Sequence, residues 1–208
     1  MANLEKKVFM ICPVRNLTPQ EDSYLKGYIG GLEDKGYTVH YPPRDTNQND
    51  PIGLNICTEN KQAIINSDEV QIYYNPTSTG TVFDLGMTFM AEKPLYIINA
   101  KMFKDSLEDN FSKFLFKYAF NTKMKKEVSF YQIFLKRREE IKRSRIIFYE
   151  WEENSVDFLF DFGMAFMAGK HVALKNRAEI RKTSHKSFQN VLLELDDRFM
   201  RTFQNNKK

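Results

Sequence analysis

Asp84 is the residue around which chemistry could be built. It is the one acid in "GTVFDLGMTFMA", residues 80–91, a Gly-flanked run that otherwise reads apolar. The run has helical spacing, with Phe83, Met87 and Met90 able to share a face, so packing accounts for them but not for the acid. An acid in the first turns of a helix is favoured by the macrodipole and kept ionised by it. The preceding Ser78, Thr79 and Gly80 would expose backbone N–H groups that suit an anion such as a phosphate. An Asp that simply stabilises its own helix start is the alternative, and this stretch alone leaves both open.

Stepping outward, the chain alternates strand and helix. "KKVFMICPV" reads as a buried strand ended by Pro13, and "TVHYPP", "EVQIYY" and "PLYIIN" as three more. Between them "YLKGYIGGLEDKGY", after Ser23 and stopped by Gly36, "IGLNICTENKQAIINSD" and "TVFDLGMTFMAEK" have helical spacing. This order predicts an α/β fold, a doubly wound parallel-sheet sandwich of the Rossmann or flavodoxin-like kind, with a partial internal repeat. Such sheets take ligands at the carboxyl ends of their strands, near a switch in strand order. The loops expected there are "PVRN", "PPRDTNQND" and "NPTSTG", which place Arg15, Arg44, Asp45, Asn49, Ser78, Thr79 and Gly80 along one sheet edge. So many polar side chains suggest a polar-ligand pocket, although an Arg44–Asp45 surface ion pair would explain those two equally well.

The Asp84 phrase occurs twice. At an offset of 77, Phe83, Asp84, Gly86, Met87, Phe89, Met90, Ala91 and Lys93 return as Phe160, Asp161, Gly163, Met164, Phe166, Met167, Ala168 and Lys170. Eight identities in eleven positions indicate a partial duplication, helix–strand–loop–helix–strand, with Ser67 matching Ser144 and Tyr74 matching Trp151. The same form, or an approximate twofold, is expected to relate the two Asp-bearing helices. In the second copy Arg137 replaces Asn60 and Asp157 replaces Gly80, and "NPTSTG" has become the acidic "EENSVD". Asp161 is therefore read as a structural relic.

Composition narrows the classes. The 208 residues are 42% hydrophobic and 28% charged, ordinary for a globular protein and enough for one good-sized core. No apolar run reaches the ~20 residues of a membrane span, and the short apolar start is read as a strand, not a signal peptide. Cys12 and Cys57 are the only cysteines, too few for a disulfide framework or zinc site, which suits a cytoplasmic protein with reduced thiols. No metal or other cofactor is expected. Residues 101–145 carry 13 Lys/Arg against 6 Asp/Glu, a local +7 in a chain of net +4. A solvated helix face explains that cluster as well as a phosphate-binding one does. With no nucleic-acid-binding signature, a nucleic-acid partner is not expected, nor is a membrane.

Taken in order, a strand ending in a Pro turn, a helix ending in Ser-Asp, a strand, a Gly-containing loop and then Asp84-Leu85-Gly86 resemble the nucleoside 2-deoxyribosyltransferase-like superfamily. That superfamily includes nucleoside 5′-monophosphate N-glycosidases. The resemblance covers roughly residues 6–100, and residues 1–100 are expected to form one α/β unit. Residues 101–208 then form a basic helical segment, the degenerate repeat and a C-terminal helix, packed with the first part as one domain.

The resemblance implies cleavage or transfer of the N-glycosidic bond of a nucleoside or nucleotide. Asp84 would attack the anomeric carbon or stabilise the sugar cation, and Asn60 would orient the sugar or Asp84. Phe9 matches the family's first-strand aromatic. Ser78, Thr79 and Gly80, with Arg15 or Arg44, would hold a 5′-phosphate, and Asp45 and Asn49 would meet sugar hydroxyls. Family members assemble as dimers or larger, a neighbour completing each pocket, so the resemblance leaves a homodimer open; the attached second copy could also supply that wall within one chain. The sequence departs from the family in using Asp84 for Glu, Asn60 for an acid, Phe9 for Tyr and Cys12 for Gly. Those departures keep open a non-catalytic nucleotide sensor or sequestering protein on the same fold.

Overall fold

A computed structural model describes residues 5–75, 77–102, 110–120, 128–153 and 155–205. Its larger sheet is made of β1 (Lys7–Ile11), β2 (Thr38–His40), β3 (Glu69–Ile72) and β4 (Leu95–Ile97), all parallel in the order β2-β1-β3-β4. Alternate side chains of β1 go to opposite faces, as strand geometry requires. Val8, Met10 and Cys12 pack with Leu25, Ile29 and Leu32 of α1 (Pro19–Glu33). Phe9 and Ile11 belong to the main core, which also takes Leu54, Cys57 and Ile64 of α3 (Leu54–Asn66) and much of α4 (Thr79–Met90). Helices therefore cover both faces, and the expected doubly wound sandwich is the observed fold.

Two element boundaries differ from expectation for local reasons. α1 begins at Pro19, ahead of Ser23, because Thr18 and Glu21 form a reciprocal capping box with Pro at the first helical position. The second strand stops at His40, and Pro42 starts a single helical turn, α2 (Pro42–Asp45), because a proline preset to helical φ ends a ladder and opens a helix. That turn lifts the following polar loop over the sheet edge.

The second half adds α5 (Asn110–Phe120), α6 (Val128–Arg143), β5 (Ile146–Tyr149), α7 (Val156–Met167), β6 (His171–Leu174) and α8 (Phe188–Asn205). β5 and β6 form a separate two-stranded parallel sheet. Its register reproduces that of β3 and β4 at the offset of 77: Val70↔Leu95 becomes Ile147↔Val172. Ser78 and Ser155 each cap their helix by accepting from the third helical N–H. Asn99 bridges the backbone of Tyr74 through its amide, and Asn176 does the same for Trp151. Lys93 donates to Ile65 O, and Lys170 to its counterpart, Lys142 O. The duplication extends from local sequence to individual hydrogen bonds.

The two copies meet through α4 and α7, which cross at their glycines. A Cβ placed on Gly86 would lie 2.1 Å from the carbonyl oxygen of Phe160, and one on Gly163 would lie 2.1 Å from that of Phe83. These contacts exchange under the offset of 77 and have equal lengths, as a local twofold demands. Both helices are largely buried and, their aspartates apart, mostly apolar, which suits helices clamped between a sheet and each other. Phe83, Phe162, Phe166 and Phe188 close around the crossing with ring centroids 4.7–6.4 Å apart. Among the described residues no helix is long and apolar enough to cross a membrane.

Candidate functional site

Asp84 lies in the second turn of α4, six positions beyond the N-cap Ser78, and not at the helix start the sequence suggested. The macrodipole acts within the first turn, so it gives this carboxyl little help. The side chain is 9% exposed, and burial pushes its pKa from an ordinary 3.8 up to about 7, with a hydrogen bond from Asn60 pulling in the opposite direction. The expectation of an acid held ionised by its helix is thus corrected: desolvation outweighs the dipole at this depth.

A chain of hydrogen bonds leads to the acid. Asn60 Nδ2 donates to Asp84 Oδ2 at 3.2 Å, and Thr46 Oγ1 donates to Asn60 Oδ1 at 2.8 Å. Thr46 has one hydroxyl proton, so at 2.9 Å from His40 Nε2 it must accept, which fixes the proton of His40 on Nε2. The His40 ring lies at 18° to Phe9 with centroids 5.4 Å apart, and the two residues are register partners on β2 and β1. Burial lowers the His40 pKa, with Asp45 and Glu59 pulling upward, so the imidazole is neutral near pH 7. Asn60 is the one side chain that hydrogen-bonds the Asp84 carboxyl among the described residues.

Both cysteines also feel this acid. Burial raises the thiol pKa of Cys12 and of Cys57, and the charge of Asp84 raises each further. They remain neutral thiols and are poor nucleophiles. No charged group contributes to the Asp84 shift; its surroundings are a neutral amide and apolar core.

The remaining expected site residues are not all gathered here. Ser78 is the cap of α4, its Oγ accepting from Thr81 N at 3.4 Å, while Thr79 and Gly80 form the exposed first turn. The space above Gly80 is open. One turn before Asp84, Thr81 is fully buried and its Oγ1 has no hydrogen-bond partner among the described residues. Arg44 makes hydrogen bonds to both oxygens of Asp45, to Glu33 and to the carbonyl of Val39. Asp45 also accepts from Tyr41 N. Arg44 and Asp45 thus tie α2 to the end of α1, as the ion-pair alternative has it. Asn49 is exposed, its N–H bonded to Asn47 Oδ1.

Arg15 is exposed after β1 and lies close enough to Lys186 to lower that lysine's pKa, an effect second to burial. Lys186 comes from the far end of the chain and donates to the backbone and side-chain oxygens of Gln48 at 3.0 Å. The segment ahead of α8 thereby closes over the loop that carries Thr46. Sequence reasoning missed His40, Thr46 and Lys186. His40 could have been found as the residue ending β2 beside Phe9; Thr46 and Lys186 carry no local signal.

A shallow groove of about 500 Å³ lies elsewhere, at the C-terminal ends of α4 and α7. Equivalent residues of the two copies line it in pairs, Met90 with Met167 and Lys93 with Lys170. Its lysines are held by helix carbonyls and by Glu92 and Glu139, so it is a by-product of the twofold and holds no reactive group. Two arginines of α6 are similarly engaged, Arg137 with Asp157 and Asp161, Arg138 with Glu92.

Asp84, Asn60, Thr46, His40 and Phe9 thus form one connected, largely buried group near the point where β1 and β3 diverge in chain order, the position at which doubly wound sheets hold ligands. No family model, curated protein or solved structure matches the chain. The likeness to nucleoside 2-deoxyribosyltransferase-like proteins rests on the residues quoted above.

Proposed function

We propose that the chain cleaves or transfers the N-glycosidic bond of a nucleoside or nucleotide, with Asp84 as the reacting carboxylate. The observation that carries this reading is a buried acid without a compensating cation. An isolated carboxylate in apolar surroundings is costly, and what stabilises it is positive charge brought by a ligand. The anomeric carbon of a sugar losing its base develops such charge, and Asp84 becomes more ionised as that charge forms.

In the proposed reaction one oxygen of Asp84 is held by Asn60 and the other bonds to C1′. The C1′–N bond breaks with its electron pair leaving on the base, which takes a proton from solvent. Water then hydrolyses the glycosyl ester, or a second base displaces it. Asn60, Thr46 and His40 act as positioning residues, because an amide in the middle of the chain orients Asp84 without shuttling protons. The exposed first turn of α4, with Arg15 and Lys186 nearby in the same edge, would receive a 5′-phosphate.

A second reading has its own support. A carboxyl with a pKa of about 7 is half protonated at neutral pH, which suits hydrogen bonding to a bound base or sugar without attack on it. That protein would be a nucleotide sensor or sequestering protein. Incubation with a panel of nucleosides and 5′-monophosphates, followed by chromatography for released base, tests the first reading. Binding in a calorimeter without release of base establishes the second.

A further inference from the structure

The duplication is incomplete in a way that leaves a strand edge open. In the first copy β3 is flanked by β4 on one side and β1 on the other. Its end amides, Asp68 N and Tyr73 N, bond to Lys7 O and Ile11 O of β1. Among the described residues the second copy has no equivalent of β1, and β5 has β6 as its one strand neighbour. The counterparts of those two amides, on Arg145 and Glu150, make no backbone hydrogen bond among the described residues.

The geometry of β5 shows which groups face outward. Arg145 O and Tyr149 O accept from His171 N and Lys175 N of the β6 side. By alternation the backbone groups of Ile146 and Phe148 point the other way, out of the sheet edge. The outer edge of β6 is closed, since Leu174 N donates to Asp196 of α8. The open edge is also apolar: Phe148 is 60% exposed, an unusual setting for a phenylalanine. On the same sheet face Ile146 lies beside His171, which packs on Phe199 with ring centroids 5.6 Å apart. An apolar strand with unpaired edge groups is a template for another strand.

We infer that β5 is the dimer contact of this protein, pairing antiparallel with β5 of a second copy about a twofold through Phe148. The charges select this occupant. Arg143 and Arg145 precede the strand, and Glu150, Glu152 and Glu153 follow it, all exposed. Antiparallel pairing with an identical strand sets base against acid at both ends, whereas parallel pairing sets like against like. A twofold centred on Phe148 is consistent with the hydrogen-bonding parity, because Ile146, Phe148 and Glu150 all present their backbone outward. The product is a four-stranded sheet, β6-β5-β5-β6, and an isologous interface. It lies apart from the α4–α7 crossing and from Asp84.

The test is the mass of the full chain by sedimentation, between about 1 and 100 µM. Wild type is expected to dimerise in this range, and Phe148→Asp to stay monomeric with unchanged circular dichroism. Arg143→Glu alone and Glu153→Arg alone, at positions that the twofold through Phe148 sets opposite each other, should each weaken the dimer at least about tenfold, by placing like charges together. The double variant restores self-complementarity and should recover dimerisation. Monomeric wild type throughout, with or without capture of some other strand or peptide, overturns the proposal. So does a dimer that survives Phe148→Asp, or single and double charge variants that behave alike.

Discussion

Asn60 beside Asp84 and Arg137 beside Asp161 occupy equivalent places in two copies of one supersecondary unit, and the two pairs behave differently. Arg137 Nη1 stands 3.6 Å from Asp161 and equally far from Asp157, itself the counterpart of Gly80. Burial raises the Asp161 pKa, but Arg137 pulls it back, and it settles at about 6. Asp84 has only an amide and rises to about 7. The second copy carries its own countercharge and fills its loop with a second acid. The first leaves the carboxylate without a cation and the loop without a side chain at Gly80. A site that awaits a positive centre and a site that already contains one can thus be built on the same scaffold by two substitutions.

Removing each acid tests this contrast most severely. Asp84→Asn should lower glycosidic cleavage on the order of a thousandfold or more while leaving nucleotide binding measurable, and Asp161→Asn should leave the rate within about twofold. Equal rates for wild type and Asp84→Asn would end the catalytic reading. Losses of similar size in both variants would show that the copies act together.

Next comes stability against pH. The folded state holds the Asp84 proton to about pH 7, whereas the unfolded chain releases it near 3.8. Through this group the unfolded state therefore binds fewer protons across that window, and the contribution of Asp84 to stability falls as pH rises from about 4 to 7. Asp84→Asn escapes this loss, so its advantage over wild type should grow from near zero at pH 4 to as much as roughly 4 kcal/mol at pH 8. Chemical denaturation at several pH values measures it. A constant difference across that range would mean that Asp84 ionises freely and is not starved of charge.

Substitutions on the twofold should show the sameness of the copies. Gly86→Ala and Gly163→Ala each force a Cβ onto a backbone oxygen, and each should cost about 3 kcal/mol or more in denaturant unfolding. A large difference between the two would break the symmetry argument. The smallest effect separates structure from function again. Asn99→Ala and Asn176→Ala each release a backbone N–H and C=O, at roughly 1–3 kcal/mol apiece. Only Asn99→Ala should also slow base release, since only its loop leads to the helix turn proposed to receive a phosphate.

Much of this architecture is legible in the residues. Alternating strand and helix patterns define the parallel sheet, and the constant offset of 77 marks the repeated unit and its two acids. The site is less so. Asn60 stood out through family likeness, but Thr46 meets it across a loop and looks no different in sequence from Thr38 or Thr77. Arg44 is the converse: its type and place suggest a phosphate ligand, yet Asp45 next to it and Glu33 eleven residues earlier satisfy its donors. The depth of Asp84 depends on where α4 begins, which Ser78 decides by one cap. Packing partners such as Phe160 and Gly86 are set by the crossing of two helices distant in sequence, for which local periodicity carries no information.

The crossing of α4 and α7 lies within a single polypeptide, and that has a consequence for dilution and for inheritance. Two separate subunits joined through such helices would part at low concentration; here the tether fixes the effective concentration, so the contact persists at any dilution at which the chain stays folded. A pair of identical subunits must also accept every substitution twice, once on each side of its axis. A fused pair accepts it once. Arginine at position 137 can coexist with asparagine at position 60 for that reason, and one half can drift while the other keeps its chemistry.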